Sequence, residues 1–157
     1  MTVAICHYIQ FKRTDGSVVD GYAFQNFFIG QTKLRNDRNY IFAPFATSTG
    51  AGTKGGDRSD AALVAPVYPL TASLFVEACQ QRWLLEIISV LLDPETYDEV
   101  MTITSETWMC AKPELDTERA VLRLSSPLDA VDGQVPRRVV SSALVGSVPT
   151  TGALTTR

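Results

Sequence analysis

Residues 48–60, STGAGTKGGDRSD, combine glycines with a lysine, as loops that cradle phosphate do. A phosphate loop needs GxxxxGK[ST] between a strand and a helix, so that backbone N–H groups converge on one anion. Here Lys54 precedes the pair Gly55-Gly56, and Asp57 stands where a hydroxyl is wanted. The carboxylate of Asp57 would repel phosphate. The segment reads instead as a mobile polar loop.

Other chemistry-bearing residues are sparse. His7 is the single histidine, and a hydrolytic triad would have to recruit Asp15 or Asp20 around it, with no GxSxG elbow in the chain. On a strand beside Tyr8 it reads as a surface or half-buried side chain. Asp93, Glu95, Asp98 and Glu99 cluster in LLDPETYDEV but lack the calcium-loop spacing, so they read as a solvated turn. Cys6, Cys79 and Cys110 lie far apart with no CxxC, which reads as buried reduced thiols and no metal site. Arg137 and Arg138 follow Pro136, and a fixed proline aiming two forked guanidiniums suits a protein interface.

The elements that would position these residues are mostly strands. Residues 3–12 and 18–29 read as strands around the turn Thr14-Asp15-Gly16-Ser17. Residues 31–39 are polar and turn-rich, 40–45 read as a short extended piece, and 61–68 as an edge segment. Residues 71–82 change to helical spacing, with Thr71 as the expected N-cap. Trp83–Leu92 reads as a strong strand. Met101–Ala111 reads as another, with Ile103, Ser105 and Thr107 on one face and Thr102, Thr104, Glu106 and Trp108 on the other. A hairpin loop at 112–116 leads to a partner strand at 119–125. This pattern predicts a mostly β fold, a β-sandwich or barrel with one short α-helix at one end. Residues 1–138 are expected to form the β-rich domain, and 139–157 an extended C-terminal arm.

The totals fit one domain. The chain has 157 residues, 45% hydrophobic and 20% charged, with a net charge of −3. That balance argues against a broad nonspecific nucleic-acid surface. The longest apolar run, WLLEIISVLL, is short for a membrane span and holds Glu86. The N-terminal charges follow the apolar part, the reverse of a secretion signal, so synthesis in the cytoplasm is expected.

One stretch resembles a known family. LRLSSPLDAVDGQVPRRVV, residues 122–140, runs from a strand through Leu124, Ser125, Ser126, Pro127, Leu128 and Asp129 to Pro136, Arg137 and Arg138. This is similar to the strand, Ser-Pro-Leu-Asp-like turn and Pro-Arg-Arg-like triplet of phage minor tail proteins of the L type and hub proteins of gene transfer agents. The order of helix, strand and hairpin upstream is also similar, so the likeness covers roughly residues 60–140. It implies a virion role at the tail tip, between the tube ring and the central hub, in a chain that is not an enzyme.

The implied partners are other copies of itself in a ring, a trimer before a hexamer, the distal tube protein, and a central hub or tail-fibre protein. DNA would pass only in transit, with no membrane insertion. The implied interface takes in Pro127, Asp129, Pro136, Arg137 and Arg138, together with Gly50, Lys54, Gly55, Asp57 and Arg58 of the glycine loop. Fuller family members carry an iron–sulfur cluster beyond this point. This sequence has no cysteine after Cys110, so no cofactor is expected. The alternatives from the residues alone are a free β-barrel that takes a small ligand or a receptor, and a hydrolase built on His7.

Overall fold

The computed structural model describes residues 2–49 and 61–127. Strand β1 (Ala4–Lys12) and strand β2 (Val18–Gln25) form the expected hairpin. Its turn needs a left-handed residue, supplied by Gly16 at φ 84, and the Asp15 carboxylate accepts from the Ser17 N–H at 2.7 Å.

The polar stretch after it departs from the sequence reading. Strands β3 (Thr32–Arg35) and β4 (Arg38–Phe42) form a two-residue hairpin. Asn36 and Asp37 both take positive φ, 48 and 58, which is the type I′ geometry that matches strand twist. Strand β4 then lies parallel to β2.

Strands β5 (Ala46–Thr49) and β6 (Ala61–Pro66) pair antiparallel, so Ser48 and Thr49 belong to a strand and not to the glycine loop. Helix α1 spans Pro69–Gln80. Its cap is Tyr68, with Pro69 pre-set for the first turn, so Thr71 lies inside the helix and does not cap it. The helix ends in a Schellman arrangement: Trp83 N–H donates to Ala78 C=O at 2.8 Å and Arg82 N–H to Cys79 C=O at 3.2 Å. Arg82 holds the left-handed position there, φ 53.

Strand β7 (Leu84–Leu92) pairs with β1 along its whole length. Strand β8 runs from Glu99 to Leu115, through Lys112-Pro113, where a loop was expected. The proline is tolerated because β8 pairs only with β9 (Arg119–Ser125) there, leaving its other edge free of a ladder.

Among the described residues the strands form one sheet, ordered β3-β4-β2-β1-β7-β8-β9-β6-β5. Over the described residues the fold is mostly β with a single short helix element, α1, as the sequence predicts. The sheet curls but does not close: Ala43–Phe45 links its two halves, with Ala43 N–H donating to Gln25 C=O at 2.9 Å, while β3 and β5 do not pair. The boundary expected at residue 138 lies outside the described residues.

Two apolar clusters flank the sheet. On one face Leu74, Phe75 and Ala78 of α1 pack on Phe11, Leu85, Ile87, Leu63 and Leu122. On the other, the β3–β4 ribbon brings Tyr40 over Cys6, Tyr8, Ile88, Val90 and Leu92. Alternation along β1 and β7 sends successive side chains to opposite faces, and the stretches Tyr8–Phe11 and Leu85–Ile88 are largely buried on both.

Candidate functional site: a polar cleft and an open strand edge

The register of β1 against β7 sets Gln10 opposite Glu86 on the ribbon side. The Gln10 amide donates to Glu86, and its carbonyl accepts from Arg38 and from the Tyr40 hydroxyl. Lys12 lies 2.8 Å from the Glu86 carboxylate, and Ser105 Oγ donates to it at 3.0 Å. Burial pushes the Glu86 carboxyl up, but the bonds from Lys12, Gln10 and Ser105 outweigh it and hold the group below the ordinary range.

These residues line a cleft of about 380 Å³ with Arg35 and Thr102. Arg35 meets Glu99 through two nitrogens, at 2.8 and 3.1 Å, and lies 5.3 Å from the Tyr8 ring centre. That bond to Arg35 holds Glu99 below its usual pKa. Burial, then the Glu99 charge, pushes the Tyr8 hydroxyl up to about 12.

Thr102 and Ser105 share this cleft, against the expected strand faces. The pairing runs Ser89↔Thr104, then Val90↔Thr102, so a bulge at Ile103 inserts one residue and switches sides.

His7 lies on the helix side of β1, its Nδ1 3.0 Å from Ser89 Oγ, with its backbone N–H donating to Asn26 Oδ1. Burial lowers its pKa. The carboxylate of Asp15 is engaged in the β1–β2 turn, and no hydrogen bond or ion pair joins His7 to Asp15 or Asp20 among the described residues. The His–Ser pair therefore lacks the orienting acid of a triad.

The acidic residues form the β7–β8 turn. Tyr97 N–H donates to Asp93 C=O and Glu95 N–H to Asp93 Oδ1, while Lys33 bonds the Tyr97 carbonyl at 2.7 Å. Cys6, Cys79 and Cys110 are free thiols, and burial raises the pKa of each. Among the described residues no three His, Cys, Asp or Glu side chains gather as a metal site would require.

Between α1, β2 and the Ala43–Phe45 link lies a pocket of about 390 Å³, lined by Phe11, Tyr22, Phe24, Phe45, Leu74 and Phe75. Its rim holds exposed Ile41, Tyr68 and Leu70.

Among the described residues, one edge of β8 lacks a strand partner over half its length. From Glu99 to Trp108 the strand pairs with β7 on one edge, and β9 begins only at Met109↔Ser125 on the other. Residues 99–105 are exposed. Beside this open edge a row of apolar side chains crosses the sheet on the helix side, past the reach of α1: Ile5, Leu91 and Met101 are paired across β1, β7 and β8. Ile5 is 65% exposed and Met101 54%. Among the described residues, a strand edge without a partner and an adjoining apolar row together present a template for another chain.

Of the interface residues expected from the sequence, only Pro127 is described. It lies two residues past the end of β9, where the backbone has left the β8–β9 ladder for a helical conformation. Gly50, Lys54, Gly55, Asp57, Arg58, Asp129, Pro136, Arg137 and Arg138 lie outside the described residues. Sequence reasoning missed the Gln10–Glu86–Arg38–Tyr40 network. Its signal was Glu86, a charge inside an otherwise apolar strand. No protein-family model matches the chain, and no curated protein does.

Proposed function

We propose that this chain is a structural component of the tail tip of a long-tailed phage, a minor tail or hub-adaptor protein joining the distal tube ring to the central hub around the DNA channel. The observation that carries the reading is the edge of β8 left open among the described residues, beside the row Ile5, Leu91 and Met101, of which Ile5 and Met101 are exposed. Backbone groups on such an edge are satisfied by strand pairing with a neighbour, and the apolar row loses its contact with water in the same step. The resemblance of residues 122–138 to L-type tail proteins points to which assembly. On this reading the chain is not an enzyme. It acts in the virion as a ring of its own copies, three before six.

The test is hydrogen exchange on the isolated protein and on tails purified from the phage or prophage that encodes it. Amides of residues 99–107 should exchange fast in the isolated protein and slowly in tails. A protein missing from purified tails would overturn the reading.

The apolar pocket supports a second reading, a free barrel that binds a small apolar ligand. It expects a stable monomer that binds an apolar fluorescent probe with a defined stoichiometry. Substituting Ala65 by Trp, at the pocket wall, should abolish that binding.

A further inference from the structure

The open edge of β8 has a length, a direction and a charge, and these select an occupant. It runs from Glu99 to Thr107, with bulges at Ile103 and at Val100. Near its Thr107 end stands Glu106, which accepts from Trp108 Nε1 at 3.1 Å and has no cation partner among the described residues. An extended chain entering antiparallel at that end would place basic residues beside Glu106. It would then need an uncharged, β-branched run as long as the edge.

The sequence holds one such segment outside the described residues. Arg137-Arg138 is followed by VVSSALVGS, residues 139–147, and no charged side chain occurs from Val139 to Thr156. The described chain stops at Pro127, just past the residue paired with Met109, at the head of this same edge.

We infer that residues 139–147 of a neighbouring copy add as an antiparallel strand to the Glu99–Thr107 edge of β8, with Arg138, opposite Trp108, reaching diagonally to Glu106 on the same face. This rests on the assembly reading above and deepens it by naming the partner surface. The main chain supplies the hydrogen bonds, alternate side chains cover the Ile5–Leu91–Met101 row, and Arg138 sets the register. The contact joins two different surfaces of the same chain, so repetition generates a ring if the rotation closes. A two-fold β8-to-β8 contact would not.

The experiment mixes two single variants, Thr104→Cys and Ser142→Cys, which the register sets opposite one another, under mild oxidation. Wild type, with its three native thiols, is the background. The expected result is a disulfide-linked pair joining positions 104 and 142, mapped by peptide mass, formed in the mixture and not by wild type. Asp20→Cys, exposed on β2, replaces Thr104→Cys as the control. Equal linkage at positions 20 and 104 overturns the inference.

A double variant carrying both cysteines should give a ladder of linked chains. A fast-migrating monomer from the double variant, with nothing from the mixture, overturns it by returning the segment to its own edge. No linkage in either arrangement also overturns it. Detection of the protein in tails without this linkage sinks the strand-addition contact alone. Linkage in a protein missing from tails sinks the tail-tip reading alone.

Discussion

The two faces of the sheet are covered by different means. On one side α1 lays Leu74, Phe75 and Ala78 onto Phe11, Leu85 and Ile87, with no charged group in the cluster. On the other, the β3–β4 ribbon covers a smaller apolar patch and then a network of Gln10, Glu86, Lys12, Arg38 and Tyr40. Apolar packing is non-directional, so the helix side supplies stability and tolerates reshaping. Hydrogen-bonded charges are directional and costly when left unpaired. The ribbon side therefore fixes where the ribbon sits more than it adds to stability.

The largest expected effect tests the helix side. Phe75→Ala, at a site 2% exposed, should lower unfolding stability by about 3–5 kcal/mol in urea denaturation. A loss under about 1 kcal/mol would mean that α1 is not the main cover of that face.

On the ribbon side Glu86→Ala should cost about 2–3 kcal/mol, since Lys12 and the Gln10 amide lose their acceptor. Joint replacement of Glu86 by Leu and Lys12 by Met should recover much of that loss, because apolar groups of similar volume replace a part-buried ion pair at little cost. If the joint variant is no better than the single one, the network contributes stability as well as position.

Acid should separate the faces in two steps. The pKa of His7 is lowered by burial, so the unfolded chain binds its proton first, and stability falls as pH drops below about 6.5, the ordinary histidine value. Glu86 and Glu99 are depressed in the fold. Their contribution is complete above the ordinary Glu value of about 4.3 and is lost as pH falls through the lower folded values. His7→Gln should remove the first decline and leave the second, as read from denaturation midpoints across pH.

The smallest effect belongs to neither face. Glu114 pairs with Arg123 at 3.1 Å, with the two side chains 39% and 52% exposed. Glu114→Ala should change stability by less than about 0.5 kcal/mol. A larger change would show that the β8–β9 hairpin depends on its surface charges.

Much of this was legible in the sequence. Alternation and β-branching gave β1, β2, β7 and β9, and the switch to helical spacing gave α1, because burial on one face forces those periods. The β3–β4 hairpin escaped notice because its strands are short and polar and its turn, Asn36-Asp37, holds no glycine. The extension of β8 through Pro113 was hidden by a proline that matters only on a paired edge. The faces of Thr102 and Ser105 depended on a bulge, which no periodicity announces. The polar network needs Gln10 and Glu86 to be neighbours across strands far apart in sequence, and only the fold supplies that.

That last separation governs the order in which the molecule can be made. The central pairing runs from Ala4↔Leu92 to Lys12↔Leu84, so the first strand of the chain waits for the seventh. On the ribosome, the β1–β2 hairpin emerges with Ile9 and Phe11 uncovered, and neither β7 nor α1 yet exists to bury them. Loop closure over that span has an entropic cost that must be met before the centre of the sheet can form, which slows folding. The early hairpin is thus the stretch that a chaperone would have to hold, and slowing translation before Leu84 would lengthen its exposure.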